Sequence, residues 1–306
     1  MIGVPTTPHL WITGAVVLAL VAGCGTGGSE HADSAHHHSL VAAAATMGAP
    51  DEVVAGAQGR SPQFVVSCAF SHAAPNDPIV YPGQEGASHM HVFFGNRTTD
   101  ASSTYETMIG AATSCEQSLD TASYWAPALL DEGRLVEPKK MVAYYRPGLA
   151  IDPTSLQPYP PGLMMIAGDA GATETQPASV VAWSCGVGAE REVLPPKCST
   201  TITLRMLITF PDCWNGVDLD VPGHRDHVHY SSGGVCPASY PVPIPQLTLT
   251  VIYPSQQNPD QLTLASGPIS TGHADFFNSW DQHKLITEVD SCLHREVVCG
   301  VSSDRI

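Results

Sequence analysis

Histidine is the commonest metal-ligating side chain and the one that titrates near neutrality, so its spacing is where chemistry is sought first. Two distant segments concentrate it, Ser88-His89-Met90-His91 and Gly223-His224-Arg225-Asp226-His227-Val228-His229-Tyr230. On an extended strand, positions i and i+2 share a face, which projects His89 and His91 together with Phe93 and turns Met90, Val92 and Phe94 the other way. Two imidazoles on one rigid element make a preorganised half-site. His227 and His229 repeat that geometry if their segment is extended, and a turn at Pro222-Gly223 lets His224 fold back towards them. Three or four neutral imidazoles meeting across a fold suit Zn²⁺ or Cu²⁺, with Asp275 or water completing the shell. Lone histidines such as His72, His283 and His294 are read instead as surface or hydrogen-bonded residues.

The same side chains can work without an ion. Asp77, Asp120, Asp212, Asp220, Asp226 and Asp275 lie in or beside the histidine-bearing and Gly-Pro-rich segments, and a His paired with an Asp is a competent proton-transfer unit. Aspartates beside Pro or Gly also cap turns, so the two roles compete. Tyr124, Trp125 and Trp214 occur near Asn, Asp and Gly, the mixture of ring faces and planar polar groups from which a sugar platform is built. A Gly-x-Ser-x-Gly elbow, a His-Glu-x-x-His helix and a phosphate-cradling loop are all missing, which disfavours common serine hydrolases, helix-built zinc proteases and nucleotide enzymes.

The elements that must hold these groups are strands. Among 306 residues, 27 are Gly and 26 Pro and only 14% are charged, a composition favouring a turn-rich β fold. In 201–210, Ile202, Leu204, Met206, Ile208 and Phe210 share one face, and Leu247 to Tyr253 repeats the alternation with threonines outside. Further strands are expected at 64–70, 141–145, 163–167 and 180–185. One helix is expected over about 276–293, where Phe277, Trp280, Leu285, Val289 and Leu293 fall near a single face, with Asp275 placed to cap it. The fold class is therefore mainly β, sandwich-like or irregular, with a C-terminal helix.

A net charge of −16, without a run of basic residues, argues against a nucleic-acid partner. At the N-terminus, the short apolar run Leu10 to Ala22 leads into Val21-Ala22-Gly23-Cys24, a lipobox-like ending. Residues 1–23 are thus expected to be a signal peptide, Cys24 the lipidated residue, 24–61 a flexible tether, and 62–302 one folded domain anchored outside the cytoplasm to the membrane. Eight further cysteines in an exported chain read as disulfides, and proximity suggests Cys68–Cys115, Cys185–Cys198, Cys213–Cys236 and Cys292–Cys299.

Several phrases taken together resemble the DUF1996 family of secreted bacterial and fungal proteins: Asn76-Asp77-Pro78-Ile79-Val80-Tyr81-Pro82-Gly83, Gly86 to Asn96, Tyr124-Trp125-Ala126-Pro127, Gly162 to Gly168, Phe210-Pro211-Asp212-Cys213-Trp214-Asn215-Gly216, Gly223 to His227, and Gly272-His273-Ala274-Asp275-Phe276-Phe277-Asn278-Ser279-Trp280. The resemblance implies a site of His89, His91, His224, His227, His273 and Asp275, in a domain without an assigned reaction. The expected function is a metal-dependent hydrolase of envelope polysaccharide, with His89, His91, His224 and His227 as ligands, His273 and Asp275 as ligand or proton shuttle, and Tyr124, Trp125 and Trp214 on the glycan. The rival expectation is a non-catalytic carbohydrate-binding or structural surface domain whose histidines form a buried hydrogen-bond network.

Overall fold

The computed structural model describes residues 61–300 and the two-residue strand Val53–Val54. The expected leader, Cys24 and nearly all of the expected tether lie outside the described residues. Nine strands make up most of one sheet: β1 (Gln63–Ala74), β2 (His91–Gly95), β3 (Ser123–Pro127), β4 (Lys140–Arg146), β5 (Met164–Gly168), β6 (Val181–Cys185), β7 (Leu204–Thr209), β8 (Gln246–Tyr253) and β9 (His273–Phe277). They run in the order β5-β9-β3-β2-β1-β4-β8-β7-β6, each antiparallel to its neighbours. Val298–Cys299 adds in parallel to the start of β1, and Val53–Val54 pairs with it in turn.

The alternation that marks these strands decides which face turns inward. Leu247, Leu249, Val251 and Tyr253 of β8 and Leu204, Met206 and Ile208 of β7 enter the main core, while Thr248, Thr250 and Thr209 lie on the reverse face. Each such aliphatic side chain contributes roughly 1.5–3 kcal/mol by leaving water. The expected mainly β domain is found, and its form is a single sheet curled until it nearly closes. β5 comes back against β7, and glycines make the seam tight. A methyl group added at Gly272 would stand 2.7 Å from a Val181 methyl, and one at Gly168 would stand 3.1 Å from the other. Gly168 also has φ +79°, a conformation open to glycine at no steric cost.

The late helix is shorter than the spacing of its apolar residues predicts. Phe276 and Phe277 end β9, buried on opposite faces of it, and Asn278-Ser279 breaks the strand. The helix Gln282–Glu288 then begins behind Asp281, whose side chain accepts from Lys284 N, and continues as a π turn over Val289–Leu293. Asp281 and not Asp275 is thus the cap, because Asp275 lies within β9. The four disulfides pair Cys68 with Cys115, Cys185 with Cys198, Cys213 with Cys236 and Cys292 with Cys299, as proximity in sequence suggested.

Candidate metal centre

At one end of the sheet the alternation carries chemistry. On β2 and β9, Val92, Phe94, Ala274 and Phe276 point into the main core, which sends His91, His273 and Asp275 to the opposite face. The pairing sets their positions: His91 lies opposite Pro127 on β3, and Asp275 lies opposite Trp125. His91 and His273 therefore fall in one cross-strand row on either side of Pro127, and their rings lean together over it with centroids 5.7 Å apart. His89, just before β2, completes the group, 4.2 Å from the His91 ring and 5.0 Å from that of His273.

One ligand atom from each of His89, His91 and His273 lies within 4.8 Å of the others, and the same holds for Asp77, His91 and Asp275. His91 belongs to both sets, so the two form one five-residue cluster. Zn–N bonds of about 2.0–2.1 Å place tetrahedral ligand atoms about 3.3 Å apart, a contraction of at most about 1.5 Å from this spacing. Protonation favours the same use. His91 Nδ1 donates to Asn76 O at 2.9 Å and His273 Nδ1 to Thr271 O at 2.8 Å, since a carbonyl can only accept. Both tautomers are thereby fixed with the Nε2 lone pair outward, the arrangement that orients metal-bound imidazoles.

Electrostatics keep these rings neutral. Burial drives His91 well below the ordinary imidazole range, with His89 and His273 adding to the effect, and burial brings His273 down to about 4. Burial likewise lowers His89. The carboxylates move the other way: burial raises Asp275 well above its usual range, with the Asp77 charge adding to the rise and Arg225 opposing it. Burial also raises Asp77, although its Oδ1 accepts the N–H groups of Ile79 and Val80 in a turn started at Pro78. The buried Nε2 atoms of His89 and His91 and Oδ2 of Asp275 have no hydrogen-bond partner. Buried polar atoms are normally satisfied, so three orphans in one cluster mark a place where something binds.

The other expected ligands lie apart from this group. His227 is fully buried and donates from Nε2 to Met164 O at 2.6 Å, which ties the 223–230 loop to β5. His224, in a left-handed conformation, directs Nδ1 at both Asp220 oxygens at 2.9 Å, and its charge bears on Asp77 at the edge of the cluster. His229 stacks on Tyr240 at 5.2 Å. Two of the three rings expected on a glycan, Tyr124 and Trp125, are buried. Tyr124 is core: its hydroxyl donates to Asp120 at 2.7 Å, and the Trp280 indole donates to it. Trp125 is wholly buried in the apolar cluster of Ile79, Phe93, Met108, Ile166 and Phe277 beneath the site. Large aromatic rings on a strand buried on both faces are filling material before they are platforms. Trp214 keeps partial exposure and donates to Asp218 O.

Asp77 and Arg225 were not assigned to the site from the sequence. Asp77 could have been: it is one of the six aspartates read as proton-transfer candidates, and its phrase sets Asn76-Asp77 ahead of Pro78 and the apolar pair Ile79-Val80. Arg225 could not, since only the fold brings its charge to bear on His273 and Asp275. Arg225 also lines a cavity of about 290 Å³ with Asp169, Asp226, His229 and Tyr240. A family model described as Domain of unknown function (DUF1996) matches residues 77–280, a span holding all five cluster residues. No curated protein and no solved structure matches the chain.

Proposed function

Because this chain belongs to the DUF1996 family, which brings no reaction with it, we propose a function from the site itself: His89, His91 and His273 bind one Zn²⁺ or Cu²⁺, with Asp275 or Asp77 as a further ligand. The observation that carries this reading is that buried Nε2 and Oδ2 atoms without a partner belong to residues whose ligand atoms lie within 4.8 Å of one another in two sets sharing His91. A rival network of histidines bonded to one another would have satisfied those atoms internally. Mixed nitrogen and oxygen donors suit these two ions better than Mg²⁺ or Ca²⁺.

Our reading of the activity is metal-dependent hydrolysis of an extracytoplasmic polysaccharide, with the roles of two histidines exchanged relative to the sequence-based expectation. His273 is a ligand, and His224 is the proton-transfer group, oriented by Asp220 at the half-exposed rim as a carboxylate orients a catalytic imidazole. A bound ion would supply charge stabilisation and a lowered water pKa. The stacked His229 and Tyr240 offer an apolar face to a sugar ring, with Asp169 and Asp226 as hydrogen-bonding partners.

The test is elemental analysis of the purified chain before and after chelation, beside His91→Ala and His227→Ala. One equivalent of zinc or copper, lost in His91→Ala and retained in His227→Ala, is expected. A native protein without stoichiometric metal that also fails to take up added Zn²⁺ or Cu²⁺ would overturn the site. Incubation with a panel of cell-wall polymers then tests the reaction: product release that disappears in His224→Ala supports hydrolysis, and retention without cleavage supports a binding module.

A further inference from the structure

The reverse face of the β1-β4-β8-β7-β6 half of the sheet carries a second site, unrelated to the histidines. Two cavities lie side by side there, of about 420 and 570 Å³, sharing Gly186, Val187 and Arg205 as a common wall. Arg146 and Arg191 line the first, Lys139 and Lys140 the second. With Arg205 these are five of the thirteen Lys and Arg residues of a chain whose net charge is −16. No Asp or Glu lines either cavity among the described residues.

Chance does not gather scarce cations this way, because like charges repel. Arg146 shows the cost: burial, then the neighbouring Arg191, lower its pKa, against the Tyr144 ring beneath it. Its guanidinium lies 4.5 Å from the centre of that ring and donates from Nε to Gln63 at 2.6 Å, which fixes its plane. Arg146, Arg191 and Lys139 make no ion pair with any described acidic residue. A planar, prepositioned guanidinium beside two further cations is a receptor for an oxyanion, and Arg binds carboxylate and phosphate alike.

The remaining lining restricts what carries that oxyanion. Ser184, Thr248 and Thr250 present hydroxyl groups from β6 and β8 into the first cavity, and Thr201 and Thr203 border the second. Among the described residues Tyr144 is the one aromatic ring in either cavity, and the Arg146 guanidinium already covers it. Base stacking, the usual anchor of a single-stranded nucleic acid, is thus not offered. Hydroxyl-rich walls, several cations and two adjoining compartments fit a polar ligand longer than one ring. We propose that this groove binds a short acidic saccharide, through a carboxylate or phosphate held by Arg146 and Arg191, with Lys139 contacting a neighbouring unit.

Binding of trigalacturonate, maltotriose and glucose 1-phosphate to the full chain, measured by calorimetry at matched ionic strength, tests this. Trigalacturonate or glucose 1-phosphate is expected to bind at least tenfold more tightly than maltotriose, and whichever is stronger tells carboxylate from phosphate. The variant pairing Arg191→Gln with Lys139→Gln, both at exposed positions, should weaken that binding at least tenfold without changing the melting temperature or the metal content at the histidine cluster. Equal affinity for the acidic and neutral ligands, or unchanged binding by the double variant, would overturn the site. Tighter binding of a single-stranded oligonucleotide of the same charge than of trigalacturonate would overturn the saccharide. Metal content at the histidines is read separately, so this site and that one stand or fall independently.

Discussion

On β8, Thr248 and Thr250 alternate with Leu249 and Val251; on β9, His273 and Asp275 alternate with Ala274 and Phe276. Both strands put their apolar residues in the same core and their polar residues on the reverse face, yet the polar residues fare differently. Thr248 meets Thr209 hydroxyl to hydroxyl at 3.3 Å across the strand pair. Asp275 instead keeps a buried oxygen without a partner, and two of the three imidazoles beside it keep a buried nitrogen in the same state. An unmet buried polar atom costs about 1–3 kcal/mol; the β4-β8-β7 end has an isolated case in the Tyr253 hydroxyl, whereas the β2-β9 end gathers three in one cluster and carries the larger burden. On the proposed reading, the β8 region uses its polar positions for pairing, and the β9 region gives up some stability to keep ligand atoms available.

That contrast can be broken most forcefully at Leu249. Leu249→Ala removes a core side chain and should cost about 2–5 kcal/mol in denaturant unfolding while leaving the metal affinity of the folded protein unchanged. His91→Ala should do the reverse. Zinc affinity by chelator competition is expected to fall at least ~100-fold, equivalent to roughly 2.7 kcal/mol, while the metal-free protein loses less stability than Leu249→Ala does. A metal-free His91→Ala as unstable as Leu249→Ala would mean that the histidines are ordinary core.

The seam where the ends of the sheet meet should couple the two behaviours. Gly272→Ala places a methyl against Val181 at the position directly before His273, so a stability loss of about 1–3 kcal/mol with an accompanying fall in zinc affinity is expected. Unchanged affinity in a destabilised Gly272→Ala would show that the seam supports the fold alone. The smallest effect concerns His72, which stacks flat on Phe93 at 4.7 Å and contacts Thr99 O through Nε2. Burial lowers its pKa, so below the unfolded value of about 6.5 the unfolded chain takes up the proton more readily and stability falls with pH. His72→Gln should therefore reduce the drop in melting temperature between pH 7 and 5, by on the order of 1 °C given its partial exposure.

The two regions also differed in how far their sequences could be read. β4, β6, β7 and β8 announce themselves through alternating or β-branched runs, and the structure finds strands there within a few residues. β9, which carries His273 and Asp275, and its neighbour β3 were missed as strands, because Ser123-Tyr124-Trp125-Ala126-Pro127 and His273-Ala274-Asp275-Phe276-Phe277 are short runs buried on both faces, and the two polar residues of β9 read as ligand and helix cap. Phe277 and Trp280 instead suggested a helix. His89 and His91 could be grouped because a strand fixes i and i+2 on one face. His273 could not be joined to them by spacing, since the pairing of β9 with β3 is a long-range event that no local pattern encodes. The resemblance to the family supplied that residue, whereas His224 and His227 entered first through the spacing of histidines in 223–230.

The pairing of β9 with β3 would govern when a metal ion could enter. His89 and His91 lie towards the start of the described chain and His273 towards its end, so an unfolded chain holds only isolated half-sites of low affinity. The full ligand set comes into existence when the sheet closes. Affinity for divalent ions rises towards Cu²⁺ whatever the protein, and selection therefore depends on which ions are free where the ligands first assemble. The compartment in which this chain completes folding, more than the identity of its donor atoms, would decide which metal it carries.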